Sequence, residues 1–98
     1  MFTLVTAANE AEAHALKKLL GSEYILLGDY LEVPDVLVKT GKIVLLPDPG
    51  DNSYAHQMLT LCLDRNIDKI YPLRQREKEV LLKSKQLFSE YGINILIK

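Results

Sequence analysis

Short apolar runs alternate with longer amphipathic stretches along the chain. The runs are rich in β-branched and aromatic residues and predict strands, whereas the stretches repeat apolar residues every three or four positions and predict helices. Strands that alternate with helices are typical of an α/β domain with a largely parallel sheet. We therefore predict one three-layer Rossmann-like domain over residues 1–98, with a mostly parallel sheet of about five strands, three helices and a β-hairpin.

The predicted strands are short and are bounded by turn-forming residues. The second strand should lie parallel to the first and beside it, because a single helix connects them. Pro72 lacks the N–H that a strand ladder needs, so we expect it at the end of its strand. Outside the hairpin, the predicted strands comprise residues 2–6, 24–27, 69–73 and 93–97.

The first predicted helix has signals at both ends. Asn9 is predicted as its N-cap, Glu12 completes a capping box, and Gly21 is placed to end the helix in a left-handed conformation. The apolar face, which should pack on the sheet, contains Ala13, Leu16, Leu19 and Leu20.

Two further helices are predicted in the second half of the chain. One follows the cap residues at 51–53 and ends near Asn66, and the other spans residues 75–91 and stops at Gly92. The apolar face of the first contains Ala55, Met58, Leu59, Cys62 and Leu63, and that of the second contains Val80, Leu81, Leu87, Phe88 and Tyr91.

Residues 36–46 interrupt the alternation. Two β-rich runs, 36–38 and 43–46, are separated by a short turn containing Gly41, which leaves no room for a helix and predicts a hairpin. The alternative is one strand with an irregular loop. An uncovered hairpin edge recruits other chains, so the hairpin would favour a homodimer.

Composition limits the functions open to the chain. Its 98 residues suffice for one core, and a net charge of -1 with a pI near 6.1 provides no basic field for nucleic acid or an anionic membrane. No apolar run approaches the roughly twenty residues that span a bilayer, and the N-terminal residues lack the basic start of a signal peptide. We expect a cytoplasmic protein with neither nucleic-acid nor membrane partners.

No catalytic constellation stands out, and we predict neither catalytic residues nor a metal site. The turn Thr6-Ala7-Ala8-Asn9 has no glycine, so the dinucleotide-binding fingerprint is absent, as is a phosphate-binding loop. His14 and His56 lack a second ligand four residues on. Cys62, the single cysteine, lies on an apolar helix face and is predicted to be a core residue rather than a nucleophile.

Two arginines mark the edge of the predicted sheet. Arg74 and Arg76 follow a strand and open a helix, which places them at the carboxyl edge, where open α/β folds bind ligands. Arginines at a helix start oppose the helix dipole and invite an anionic partner; the alternative is that they pair with nearby acidic residues on the surface. The residues predicted to contact a ligand or partner are Thr6, Asn9, Arg74 and Arg76.

Residues 54–95 resemble a known family in a series of short motifs. The stretch Asn66-Ile67-Asp68-Lys69-Ile70-Tyr71-Pro72 follows a helix, Glu77 and Glu79 open the next one, and Phe88 precedes Gly92-Ile93. This series is similar to the N-terminal pre-ATP-grasp domain of ATP-grasp ligases, notably those similar to the carbamoyl-phosphate synthase large subunit. The motifs are structural rather than catalytic, and the rest of the chain resembles the family only in the order of its elements.

The resemblance implies a Rossmann-like domain that packs against an ATP-binding catalytic module and often lines part of the acceptor-substrate site. The residues that hold ATP and magnesium in the family lie in a central domain that would follow Lys98, so the resemblance implies no cofactor within residues 1–98. The chain would then be either a separately encoded domain or a piece of a longer protein.

We therefore expect a non-catalytic accessory or N-terminal domain of an ATP-grasp carboxylate–amine ligase-like system, with the catalytic module as its partner. The alternative is a stand-alone Rossmann-like module that self-associates and binds a small anion or nucleotide at the edge formed by Thr6, Asn9 and Arg74. Ligase activity is expected only from a longer or partnered protein.

Overall fold

The structure, a computed structural model, describes residues 1–21, 24–31 and 33–97. Across these residues, five strands form one sheet in which every neighbouring pair is parallel. The strands are β1 (Phe2–Val5), β2 (Ile25–Asp29), β3 (Ile43–Leu45), β4 (Ile67–Tyr71) and β5 (Asn94–Ile95). Their order, β3-β2-β1-β4-β5, confirms the α/β Rossmann-like class and the pairing of the first two strands.

Helices lie on both faces of this sheet. Within the described ranges they are α1 (Ala11–Leu20), α2 (Asp35–Lys39), α3 (Tyr54–Asp64), α4 (Gln75–Lys83) and α5 (Lys85–Glu90). Side chains alternate along each strand and point to opposite faces of the sheet. Leu4 therefore belongs to the first core, on one face, and its neighbour Val5 to the second core, on the other face. Helices α3, α4 and α5 pack on the core of Leu4, and α1 and α2 pack on the core of Val5.

The hairpin predicted for residues 36–46 is wrong. Asp35–Lys39 forms α2, and β3 pairs parallel to β2, with Ile43 opposite Leu27. The connection between β2 and β3 begins at Tyr30, so it has room for a helical turn that the spacing around Gly41 alone did not reveal. Leu37 and Val38 of α2 pack against the core that contains Val5, whereas Val36 is exposed. The homodimer expected from the hairpin stays a prediction.

The start of α1 also differs from the prediction. The helix begins at Ala11, with Glu10 at the N-cap position and no capping hydrogen bond from its side chain, so the capping box at Asn9 is wrong. A tight turn, in which the Glu10 N–H donates to the Ala7 carbonyl at 2.8 Å, delays the helix. Gly21 ends α1 at a φ of 60°, as predicted.

The long helix predicted for residues 75–91 is two helices. The Ser84 N–H bonds to the Leu81 carbonyl three residues back at 3.0 Å, which closes α4 before α5 begins. Leu81 and Phe88 are buried as predicted, but Tyr91 is exposed. Gly92, with a φ of 76°, ends the pair as expected.

The predicted apolar face of α3 is largely correct. Met58, Leu59 and Cys62 are buried in the first core, whereas Leu63 is exposed. Tyr54, at the first position of the helix, is fully buried and was not predicted to be. No helix in the described part of the chain is both long and apolar enough to cross a membrane.

Candidate functional site

The carboxyl ends of β1 and β4 meet at the point where the strand order reverses. Open α/β sheets bind ligands in the crevice at such a switch point. Here β1 leads into the turn at Thr6, and β4 leads through Pro72 into α4, so Pro72 lies just beyond its strand as predicted. A cavity of about 360 Å³ opens between these connections. Its walls include Ala7, Glu10, Glu12, Tyr30, Arg74 and Arg76.

A buried ion pair forms one side of this edge. Asp29, the last residue of β2, is fully buried, and its carboxylate accepts hydrogen bonds from Arg74 Nη2 at 2.8 Å and Arg74 Nε at 3.2 Å. The backbone N–H groups of Asn9 and Leu31 donate to the same carboxylate at 3.1 and 3.2 Å. Burial raises the pKa of Asp29, but these hydrogen bonds and the charge of Arg74 outweigh it, so the pKa is lowered.

Arg74 is held on its other sides as well. Its guanidinium carbon lies 5.7 Å from the ring centroid of Tyr30, and Nη1 lies 3.4 Å from Glu10 Oε1. The hydrogen bond to Asp29 is the main reason that the pKa of Arg74 is raised. The carboxylates of Asp29 and Glu10 therefore largely compensate the charge of Arg74. Neither residue was among the predicted contact residues.

The structure brings the four predicted contact residues to one edge, in different roles. The buried Thr6 hydroxyl accepts a hydrogen bond from the Leu73 N–H at 2.9 Å and so ties the end of β1 to the connection after β4. Asn9 contacts Asp29 through its backbone. Arg74 and Arg76 line the cavity directly.

Ala7 has an unusual backbone conformation for a residue with a side chain. Its φ is 57°, in the left-handed region that favours glycine, and it is buried. The next residue holds this turn against β2, because the Ala8 N–H donates to the Gly28 carbonyl at 3.0 Å. Strained backbone of this kind is common at binding sites.

Glu77 and Tyr54 lie buried behind this edge. Neither carboxylate oxygen of Glu77 nor the hydroxyl of Tyr54 has a hydrogen-bond partner among the residues that the structure describes. Burial raises the pKa of Glu77 to about 7, with the neighbouring Thr6 hydroxyl opposing the shift. Burial, followed by the charge of Glu77, raises the pKa of Tyr54.

The burial of Glu77 was not predicted from the sequence, although the helix period is compatible with it. Glu77 lies four residues before Leu81, on the side of α4 that faces the core, but the predicted apolar stripe began at Val80. Acidic residues in a first helical turn are usually exposed and favoured by the dipole, so nothing in the residue type indicated burial.

The remaining candidates have structural roles. The His14 ring nitrogen Nε2 lies 2.8 Å from the Ala8 carbonyl. Cys62 is fully buried, burial raises the pKa of its thiol to about 12, and it lies in the core as predicted. Within residues 1–21, 24–31 and 33–97, no three His, Cys, Asp or Glu side chains are grouped closely enough to hold a metal ion.

Neither a known family model nor a curated protein matches this chain. The resemblance of residues 54–95 to pre-ATP-grasp domains therefore stays a prediction. The cavity itself carries charges of both signs, since Glu10, Glu12, Arg74 and Arg76 all line it. Because Arg74 is already paired with Asp29, this edge suits a polar ligand or protein surface better than a polyphosphate.

Proposed function

We propose that this domain is a non-catalytic accessory module of an ATP-grasp carboxylate–amine ligase-like system. It packs against the catalytic module and shapes that module's substrate site with its carboxyl edge. The parallel Rossmann-like fold and the motif order of residues 54–95 are consistent with this function.

The observation that carries the proposal is the pairing of Asp29 with Arg74. A general acid or base must gain and lose a proton near the working pH. The pKa of Asp29 is lowered and that of Arg74 is raised, so both groups remain charged around neutral pH. The Asp29–Arg74 pair at the carboxyl edge of the sheet is thus suited to fixing the shape of that edge and not to proton transfer.

The motifs of the resemblance lie at corners of the fold. Asn66 precedes β4 with a φ of 56°, and Gly92 precedes β5 with a φ of 76°. Ile67 and Ile70 are buried on the core side of β4, and Phe88 is buried beneath β5. These roles support the interpretation of the motifs as structural, because each fixes a turn or fills the core.

Reconstitution with an ATP-grasp protein encoded nearby tests this function. We expect the two proteins to co-purify, and we expect Arg76→Ala to raise the KM for the acceptor substrate while leaving kcat nearly unchanged. Arg65→Ala, which changes another exposed arginine at the end of α3, is the matched control. Failure of the wild-type domain to associate with any such protein would contradict the proposal.

A second candidate is a stand-alone module that binds a small anion or nucleotide at the same edge. The observation in its favour is Arg76, which is exposed, lines the cavity and makes no ion pair within the described residues. Thermal-shift screening with nucleotides and dicarboxylates tests it. A ligand shift that Arg76→Ala abolishes would support it, and no shift above noise would exclude it.

A further inference from the structure

One face of the sheet is only partly covered by helices. On the side of α1 and α2, the second core lies over β1, β2 and β3. Lys69 of β4 and Asn94 of β5 are paired in register on that same side, and both are exposed. The opposite face carries three helices, α3, α4 and α5, over β4, β5 and their neighbours. The third layer of the fold is therefore incomplete over β4 and β5 in the part of the chain that the structure describes.

The uncovered region is an apolar groove. It has a volume of about 630 Å³ and runs between the last turn of α1 and the end of β5. Leu19 and Ile97 both lie on this surface, where Leu19 is 74% exposed and Ile97 is 47% exposed. Contiguous exposed apolar surface of this kind marks interaction sites. The lining that defines the α1–β5 groove includes Leu19, Leu20, Tyr71, Leu96 and Ile97.

Lysines supply the charges that can be assigned to the α1–β5 groove among the described residues. Lys85 lines it, and Lys69 lies on the same sheet face two residues before Tyr71. Neither lysine makes an ion pair within the ranges that the structure describes. Among the described lining residues there is no acidic side chain.

We propose that the α1–β5 groove binds an amphipathic helix of a partner protein, with an apolar stripe flanked by acidic residues. A helix laid beside α1 would complete the third layer over β4 and β5, where the fold normally places one. Acidic flanks would pair with Lys69 and Lys85. A second copy of this domain fits less well, because joining two such grooves would bring like charges together.

This inference deepens the proposed function and rests on it only for the identity of the protein that supplies the helix. The α1–β5 groove lies beside β5, whereas the cavity at the switch point lies beyond the carboxyl ends of β1 and β4. The domain would therefore bind its partner through one surface and face the partner's substrate with another.

The test uses synthetic helical peptides as probes. Two peptides of about five turns share one leucine stripe, and glutamates flank the stripe in one and lysines in the other. Each is titrated into the isotope-labelled domain while the backbone amide signals are followed by NMR. We expect the glutamate-flanked peptide to shift the signals of Leu19, Leu20 and Leu96, and to bind about tenfold more tightly than the lysine-flanked one.

Variants separate the apolar and the charged contributions. Leu19→Ser should weaken binding of the glutamate-flanked peptide about tenfold without unfolding the domain, because Leu19 is mostly exposed. The double change Lys69→Glu with Lys85→Glu should reverse the preference between the two peptides. Leu45→Ser, at the opposite edge of the sheet and 59% exposed, is the control and should change neither.

The outcomes distinguish a partner's helix from a second copy of the domain as the occupant of the α1–β5 groove. Binding of neither peptide, equal binding of both, or shifts confined to other surfaces would overturn the proposal. A dimer seen by light scattering and abolished by Leu19→Ser would assign the groove to a second copy and would also overturn it. Because the peptides are not taken from an ATP-grasp protein, the groove proposal and the proposed function fail independently.

Discussion

Arg74 and Asp29 are 45 residues apart in the sequence, and the fold joins them through two hydrogen bonds. The pair links the end of β2 to the start of α4, the helix that follows β4, and β1 lies between β2 and β4 in the sheet. Since the Asp29 side chain is fully buried, removal of its partner would leave a buried charge without a counterion.

Arg74→Ala should therefore destabilise the domain by about 3 kcal/mol. Arg76→Ala, two residues further on and exposed, should change the free energy of unfolding by less than about 0.5 kcal/mol. Urea denaturation followed by circular dichroism measures both. Equal effects of the two variants would mean that the Asp29–Arg74 pair does not stabilise the fold.

Glu77 should make the folded state less stable as the pH rises. Its pKa is about 7 in the folded protein against an ordinary 4.5, so the folded state binds more protons between these values. Stability from this group is complete below about pH 4.5 and is lost as the pH rises to about 7, by up to about 3 kcal/mol.

Glu77→Gln tests this assignment, because the amide cannot ionise. At pH 8 the variant should be more stable than the wild type, and its stability should vary less between pH 4.5 and 7. Glu79→Gln, on the exposed side of the same helix, should keep the wild-type pH profile. If Glu77→Gln also kept that profile, the buried carboxyl would not be the titrating group.

Ala7→Gly should stabilise the domain by about 0.5–1 kcal/mol, because the left-handed backbone strains a residue with a Cβ atom. Ala8→Gly is the matched control: it removes an equally buried methyl group next in sequence and should destabilise by about 1 kcal/mol. Thermal unfolding of the two variants provides the comparison. Destabilisation by both would show that the lost methyl contact outweighs the relief of strain at Ala7.

Leu59→Ala should cost about 2–5 kcal/mol, as truncation of a buried leucine does. Leu63→Ala, one turn further along α3 and 48% exposed, should cost less than about 1 kcal/mol. Denaturant titration distinguishes them. A loss well under 1 kcal/mol at Leu59 would contradict the packing of α3 on the first core.

The elements with long periodic patterns could be predicted from the sequence. The apolar spacing of α3 placed Met58 and Cys62 in the core, and Gly21 and Gly92 marked helix ends because a left-handed backbone favours glycine. The short helix α2 could not be found in this way, since Val36 and Val38 have a strand-like composition and its five residues are too few to show a helical period.

The candidate site was predictable only in part. The order of strands and helices placed Thr6 and Arg74 at the carboxyl edge, but the pairing of Arg74 with Asp29 depends on contacts between residues distant in sequence. The burial of Glu77 depends on how α4 lies against Tyr54 and Thr6, and local sequence gives no signal for that orientation.

Titration calorimetry measures directly whether this domain binds a catalytic partner. The wild-type domain and Leu19→Ser are each titrated into an ATP-grasp protein encoded nearby. We expect a one-to-one complex for the wild type, and affinity about tenfold lower for Leu19→Ser. Absence of binding by the folded wild-type domain would contradict the accessory function, and equal affinity of the two would contradict the role of the α1–β5 groove.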